Sequence, residues 1–502
     1  MTADAIKFIM STMKEKFQKI VESKFGTCAD KFCNSIWYIV VMGAACVLSH
    51  SFDIPVVGAA LLTLLLVPAL LFCKNSFVLM PFLMMCSFVL SEKTKPDTGY
   101  YNTPARIAVL CILLVFIVIA LLFNLIYYGK WKCIFKKSYL TVSLALLTGA
   151  LLMGGIGAKT FSFGGVGTAI AIAAATILPY ALLLNCGQYE GRKTVVYFAW
   201  AVIVAALAIG ICYLKQYIIN DFNLQTYVKG YLALGFVGPN TGAAIVTLAL
   251  PMTFYLVYIY KRGFLFMLLV ALELFIIVAS FSRASLVVAV PGTIIVAVAL
   301  CFKKKEGRRG YLIAFCIAVA AALVFCIVFR HKIYSLLMRL FNRDFTGSGR
   351  TRLWKRGFNA FTDNPVFGVG LGFLPFHDYW YYSFHCTPLT YLFCGGIVGF
   401  LAYAYHRYRT ARLVFSAKLT TERVFTALTV FAMLCNALLD IAMTSPTHLL
   451  YYGIMLALIE CDAKQAKAQT SPQTKAQIKA GEGVNNSVDG GEVNENISAG
   501  EV

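Results

Sequence analysis

The sequence predicts an all-α polytopic membrane protein with about 12–14 transmembrane helices and one large helical external loop. Three observations carry this. The 502 residues are 60% hydrophobic and have a mean hydropathy of +0.75. Only 13% are charged, about half the charge density of an average globular domain. Apolar runs long enough to cross a hydrocarbon core, about 17–25 residues, recur from Ser35 to Glu460.

Those runs fall at 35–50, 54–73, 76–91, 106–128, 138–156, 167–186, 194–214, 241–260, 264–281, 284–302, 310–329, 386–405, 424–441 and 447–461. Cationic clusters set their direction, because Lys and Arg in short loops favour the cytoplasmic side. Lys130, Lys132, Lys136 and Lys137 follow the fourth run, Arg192 and Lys193 the sixth, and Lys261 and Arg262 the eighth. Lys303 to Arg309 follow the tenth run, and Arg407, Arg409 and Arg412 the twelfth. Both termini are then cytoplasmic. The formal charge of +21 is largely topological and calls for no nucleic-acid partner.

Residues 1–34 place Ile6, Ile9, Met13, Phe17, Ile20 and Phe25 at helical spacing among lysines. This is the pattern of an amphipathic helix lying on membrane lipids of the inner leaflet, and the long basic lead is unlike a cleavable signal peptide. Residues 35–239 form N-terminal transmembrane helices, 240–405 a core that includes the external loop 330–385, and 406–461 the last helices. The tail 462–502 has almost nothing to bury and reads as disordered. The 16 Cys suggest neither a metal site nor a disulfide framework.

The loop 330–385 breaks the positive-inside rule. It carries Arg330, Lys332, Arg339, Arg343, Arg350, Arg352, Lys355 and Arg356 against Asp344, Asp363 and Asp378. An anionic ligand is the local reason such an excess needs. The loop opens with an interfacial helix from His331 to Phe341 whose apolar stripe is Ile333, Leu336, Leu337 and Leu340. It continues through a turn and helix start at Thr346–Trp354, a Pro/Gly-rich segment from Asp363 to Gly372, and an aromatic run, and it ends at His385. Gly368 and Gly370 are turn glycines that allow close backbone approach. With Arg352, Trp354 and His377 they are the candidates for substrate contact.

Arg283, in Ser280-Phe-Ser-Arg-Ala-Ser285, is the only cation from Gly263 to Cys301. It either snorkels to headgroups or meets an anion at the outer interface. His50, His331, His377, His385 and His448 fall at or near the outer face and His406 inside. His385 stands out because it begins a helix and shares a loop with Arg350 and Arg352. An imidazole is the natural base near neutral pH, and Arg forks suit phosphate oxygens. Glu273, deep in an apolar run, either pairs with a neighbouring helix or is protonated.

Taken together, Ser348-Gly-Arg-Thr-Arg-Leu-Trp354, the Asp363–Gly372 segment and His385-Cys-Thr-Pro-Leu-Thr-Tyr-Leu-Phe-Cys-Gly-Gly396-Ile-Val-Gly399 resemble the signature region of the O-antigen ligase and polysaccharide polymerase superfamily. The resemblance covers about residues 240–405, and Cys386 replaces the polar neighbour that the family's His usually has. It implies a GT-C-like membrane glycosyltransferase that requires neither metal nor nucleotide sugar and no cofactor. Its donor would be an undecaprenyl-diphosphate-linked glycan and its acceptor a glycan, lipid or protein, on the outer face of the cytoplasmic membrane. His385 matches the family's catalytic His, Arg283 the Arg at the membrane turn, and Arg350 the Arg of the outer loop. The competing class is a lipid-linked glycan flippase or other polytopic transporter, which would favour internal repeats and charges along a central path; a non-catalytic assembly partner is a third.

Overall fold

The computed structural model describes residues 18–89, 103–134, 136–220, 238–331, 350–372, 384–440 and 444–470, with a few isolated positions between them. Every regular element among these residues is helical. In chain order they are α1 (Lys24–Cys33), α2 (Ile36–Phe52), α3 (Pro55–Phe72), α4 (Met80–Met85), α5 (Pro104–Tyr127), α6 (Thr141–Leu152), α7 (Phe163–Cys186) and α8 (Arg192–Ile219). After them come α9 (Pro239–Ile259), α10 (Met267–Ala279), α11 (Arg283–Lys303), α12 (Arg308–Val328), α13 (Arg350–Asp363), α14 (Thr387–Val414), α15 (Thr421–Leu439) and α16 (Pro446–Thr470).

Nine of these helices are long and apolar enough to span a membrane, and a tenth span results if α1 and α2, bent by 70°, count as one. The protein is an all-α, multi-pass membrane protein. The other predicted runs take different forms. Residues 76–88 form a short helix between 3-10 turns, α6 stops at Leu152, and α10 follows a 3-10 turn at Gly263–Phe266. Each is cut short by a backbone feature that hydropathy does not register, such as Gly155 at φ +83° just beyond α6. The last predicted run becomes α16 and extends past Asp462 to Thr470. Residues 462–470 of the tail expected to be disordered are therefore helical, with Asp462 bound, and the rest of that tail lies outside the described residues. Arg423, fully buried, donates from Nε to Asp462 Oδ2 at 2.8 Å, and Thr420 and Tyr189 donate to the same carboxylate.

The bundle is built around α9, of which 89% of the apolar window is buried, whereas only 6% of α12 is. Helix α12 thus faces lipid almost all round. Helix α9 packs on α8, α10, α11 and α15, and α16 lies along α7. At one end, buried lysines meet backbone and side-chain oxygens at helix ends, a favourable place for cations. Lys304 Nζ donates to Val257 O at 2.7 Å and Tyr260 O at 2.9 Å, and Lys130 Nζ to Ser76 Oγ and Asn124 Oδ1 at 3.1 Å.

At the opposite end α14 is broken. Gly396 has φ +65° and ψ −163°, which divides the helix, and the loop 365–370 threads the break. Val369 and Gly370 amides donate to Phe393 O and Cys394 O, both at 2.9 Å. Ile397 and Val398 amides donate back to Pro365 O at 2.8 Å and Val366 O at 3.2 Å. The backbone groups freed by the break are thereby satisfied. A Cβ on Gly396 would sit 2.2 Å from Val366 O, and one on Gly368 2.4 Å from Phe393 O. Glycine is required at both positions by space and by positive φ.

Candidate functional site

The break in α14 sets the first half of the helix at an angle, and His385 lies immediately before it. Cys386 is the N-cap and Pro388 the second helical residue, a favoured place for Pro at a helix start. His385 takes φ +47°, a left-handed conformation that turns the chain sharply into the helix at a cost of about 1–2 kcal/mol. Its Nδ1 lies 2.9 Å from Asp440 Oδ1, with the His side chain 41% and the Asp side chain 9% exposed. Asp440 ends α15 and is held in extended backbone. With the carboxylate accepting from Nδ1–H, the imidazole lone pair is on Nε2, the nitrogen left to act as a base.

Two further segments close around this pair. On α13, Leu353, Trp354, Gly357 and Phe361 form a stripe against Phe384 and Phe393. Trp354 Nε1 donates to Phe384 O at 2.6 Å, which fixes the residue before His385. Arg350, one turn before that stripe, is partly buried and its charge bears on the Cys386 thiol. Arg352 points to the exposed side of α13. The second segment is the Arg283 turn. Phe281 takes φ +53° there, Ser282 caps α11, and Ser285 Oγ donates to Asn436 Oδ1 at 3.2 Å. Asn436 lies one turn before Asp440 on α15, so the Arg283 and His385 turns are both tied to the end of that helix.

Loop 365–370 and the α14 break interlock as a clamp, and Gly368 and Gly370 lie within it, against the α14 break and the backbone of Gly154 and Gly155. His377 and the helix expected at His331–Phe341 lie outside the described residues, the latter except for a few isolated positions. Glu273 is buried and accepts from Thr253 Oγ1 at 2.7 Å, the pairing with a neighbouring helix that its sequence setting left open.

Sequence reasoning missed Asp440. A signal was present: it is the only carboxylate between Glu422 and Glu460, and ionisable residues at membrane depth are functional candidates by default. Asn436 and Ser285 carried no comparable signal.

A cavity of about 420 Å³ runs between α9, α11 and α15, within the usual range for a ligand site. Its walls are apolar, among them Leu250, Phe254, Val287, Ile295, Phe431 and Leu439. Val287 is one turn from Arg283, and Leu439 adjoins Asp440, so the groove begins at the polar site. Pro251 and Pro291 also line it, and each removes an intrahelical hydrogen bond.

Residues 265–404 match the family model described as O-antigen ligase. Over this segment the chain is similar to the O-antigen ligase and polysaccharide polymerase superfamily. No curated protein matches it. The matched O-antigen ligase segment holds Arg283, Arg350, the clamp, His385 and the broken half of α14, while Asp440 and Asn436 lie beyond its end. The family is a class of glycan-transferring enzymes.

Proposed function

We propose that the protein transfers or polymerises an undecaprenyl-diphosphate-linked glycan on the outer face of the cytoplasmic membrane, acting as an O-antigen ligase or surface polysaccharide polymerase. The observation that carries this reading is the His385–Asp440 pair at the head of an apolar groove, with Arg350 acting on the adjacent Cys386 and the Arg283 turn tied to the same helix end. A groove between helices suits a polyprenyl tail. From Val287 to Ile295 it follows α11 for roughly 12 Å at 1.5 Å per residue.

His385 Nε2 takes the proton of the acceptor hydroxyl as its oxygen attacks the anomeric carbon, a role contributing about 10²–10⁴-fold. The bond from that carbon to the diphosphate oxygen breaks, and the polyprenyl diphosphate leaves with the electron pair. Arg350 and Arg283 stabilise the charge that develops on its oxygens. Asp440 keeps the imidazole in the required tautomer and stabilises the imidazolium that forms, and it is a positioning residue.

The test uses full-length protein in micelles with a lipid-linked glycan donor. His385→Ala is expected to lower transfer by about 10²–10⁴-fold. Gly292→Trp, placed in the groove where an added Cβ meets nothing within 4 Å, is expected to raise the donor KM with the folded yield kept. Normal transfer by His385→Ala overturns the catalytic assignment, and translocation of the donor without glycosidic-bond formation replaces the reading with a flippase.

A further inference from the structure

A second polar centre lies where α6, α7, α14 and α16 meet, on the far side of the Gly396 break, and the glycan-transfer reading makes no use of it. His406 is fully buried there. Its Nδ1 is 3.0 Å from Ser143 Oγ and its Nε2 is 3.0 Å from Tyr452 OH. Ser143 donates its own proton to Leu140 O at 3.0 Å, so it accepts from His406 Nδ1–H. Thr410 likewise donates to His406 O at 2.9 Å. Tyr452 OH accepts from Arg407 Nη1 at 2.8 Å, and its proton goes to His406 Nε2 or to Thr410 Oγ1 at 3.3 Å. Under either assignment the centre keeps at least the one positive charge of Arg407.

Among the described residues that charge has no acidic partner. Arg407 Cζ lies 4.8 Å from the ring centroids of both Tyr403 and Tyr452, and Tyr391 stacks on Tyr403. Among the described residues no carboxylate forms an ion pair with Arg407, and its buried Nε and Nη2 have no protein acceptor. Arg407 lines a cavity of about 20 Å³, together with Thr148, Thr176, Tyr391, Leu449 and Tyr452. Thr176 donates its hydroxyl to Ile172 O at 3.1 Å.

We propose that this cavity binds one small monovalent anion of halide size, chloride being the representative, held by Arg407. A volume of this order holds one water-sized or slightly larger particle and excludes phosphate. A water molecule would satisfy the buried Nε and Nη2 donors of the half-buried Arg407 and leave its charge without a counter-ion. A halide accepts the hydrogen bonds and cancels the charge. It would thereby fasten the second half of α14 to the short helix α6 and to α7 and α16, independently of the chemistry at His385.

The test is thermal unfolding of the purified full-length protein in sodium chloride, bromide and gluconate at one ionic strength. Both halides are expected to raise the melting temperature over gluconate with a saturable dependence. Arg407→Met and Thr148→Leu are expected to abolish that difference, the second by filling the cavity with Arg407 kept, so the test survives if the first variant fails to fold. Bromide-soaked crystals are expected to show an anomalous peak beside the guanidinium. Equal melting temperatures of the wild type in halide and gluconate, the same halide increment in the wild type and Thr148→Leu, or water alone at Arg407 would each overturn the proposal.

Discussion

Asp440→Asn is the sharpest probe of the proposed chemistry, because it keeps the shape of the side chain and removes its charge. In the wild type the carboxylate meets His385 Nδ1 at 2.9 Å and is only 9% exposed, so the bond is charge-assisted and shielded from water. Such bonds contribute about 1.5–3 kcal/mol, which corresponds to roughly 10- to 150-fold in rate at 1.36 kcal/mol per tenfold. An asparagine can also turn its NH₂ toward Nδ1, which moves the ring proton to Nε2 and removes the basic lone pair. The corresponding change in a serine-protease triad lowers kcat by about 10⁴. Transfer by Asp440→Asn should therefore fall by about 10²–10⁴-fold, measured as glycosidic product formed from a lipid-linked donor at matched protein levels. Combined with His385→Ala it should cost little more than His385→Ala alone, since the two residues act as a unit. An Asp440→Asn rate within about threefold of wild type, alongside an inactive His385→Ala, would refute the claim that Asp440 sets the tautomer.

Trp354→Phe keeps the aromatic packing against Phe384 but removes the 2.6 Å bond to its carbonyl. The loss of one hydrogen bond, about 0.5–1.5 kcal/mol, is expected to slow transfer by about 2- to 12-fold with protein yield unchanged, checked by steady-state kinetics beside size-exclusion profiles. Gly396→Ala places a Cβ 2.2 Å from Val366 O at φ +65°. The backbone conformation alone costs a non-glycine residue about 1–3 kcal/mol, so folded protein recovered from membranes should drop sharply, whereas Gly292→Ala, with open space around its Cβ, should leave it unchanged.

The membrane class and the long helices were legible in the sequence because hydropathy and loop charge are local properties. The short apolar elements were not. Residues 138–156 are apolar enough for a span, yet α6 ends at Leu152 where Gly154 and Gly155 meet the backbone of the clamp, a tertiary cause. Arg283, Arg350 and His385 were singled out from residue type and neighbourhood, and their proposed roles came from the family resemblance. The bond from His385 to Asp440 crosses 55 positions and an intervening pair of helices, so only the isolation of that carboxylate in an apolar run hinted at it. Gly368 and Gly370 illustrate a different limit. Their spacing marked close backbone approach correctly, but the backbone they approach is that of the α14 break and the Gly154–Gly155 turn.

The arrangement of helix ends gives the site a polarity suited to the reaction proposed for it. Helices α11, α13 and α14 all begin here, with Arg283 and Arg350 as first residues of two of them, so three partially positive N-termini add to two guanidinium groups. Helix α15 is the exception, since it ends here and presents its negative end and the Asp440 carboxylate behind His385. In a transfer that leaves negative charge on a diphosphate and positive charge on an imidazole, each field stabilises the charge that forms beside it. The left-handed turns at Phe281 and His385 are what let the chain enter α11 and α14 at this end. Backbone strain of that kind persists only where the surrounding structure fixes it, and the Ser285–Asn436 and His385–Asp440 bonds fix both turns to the one helix that runs the other way.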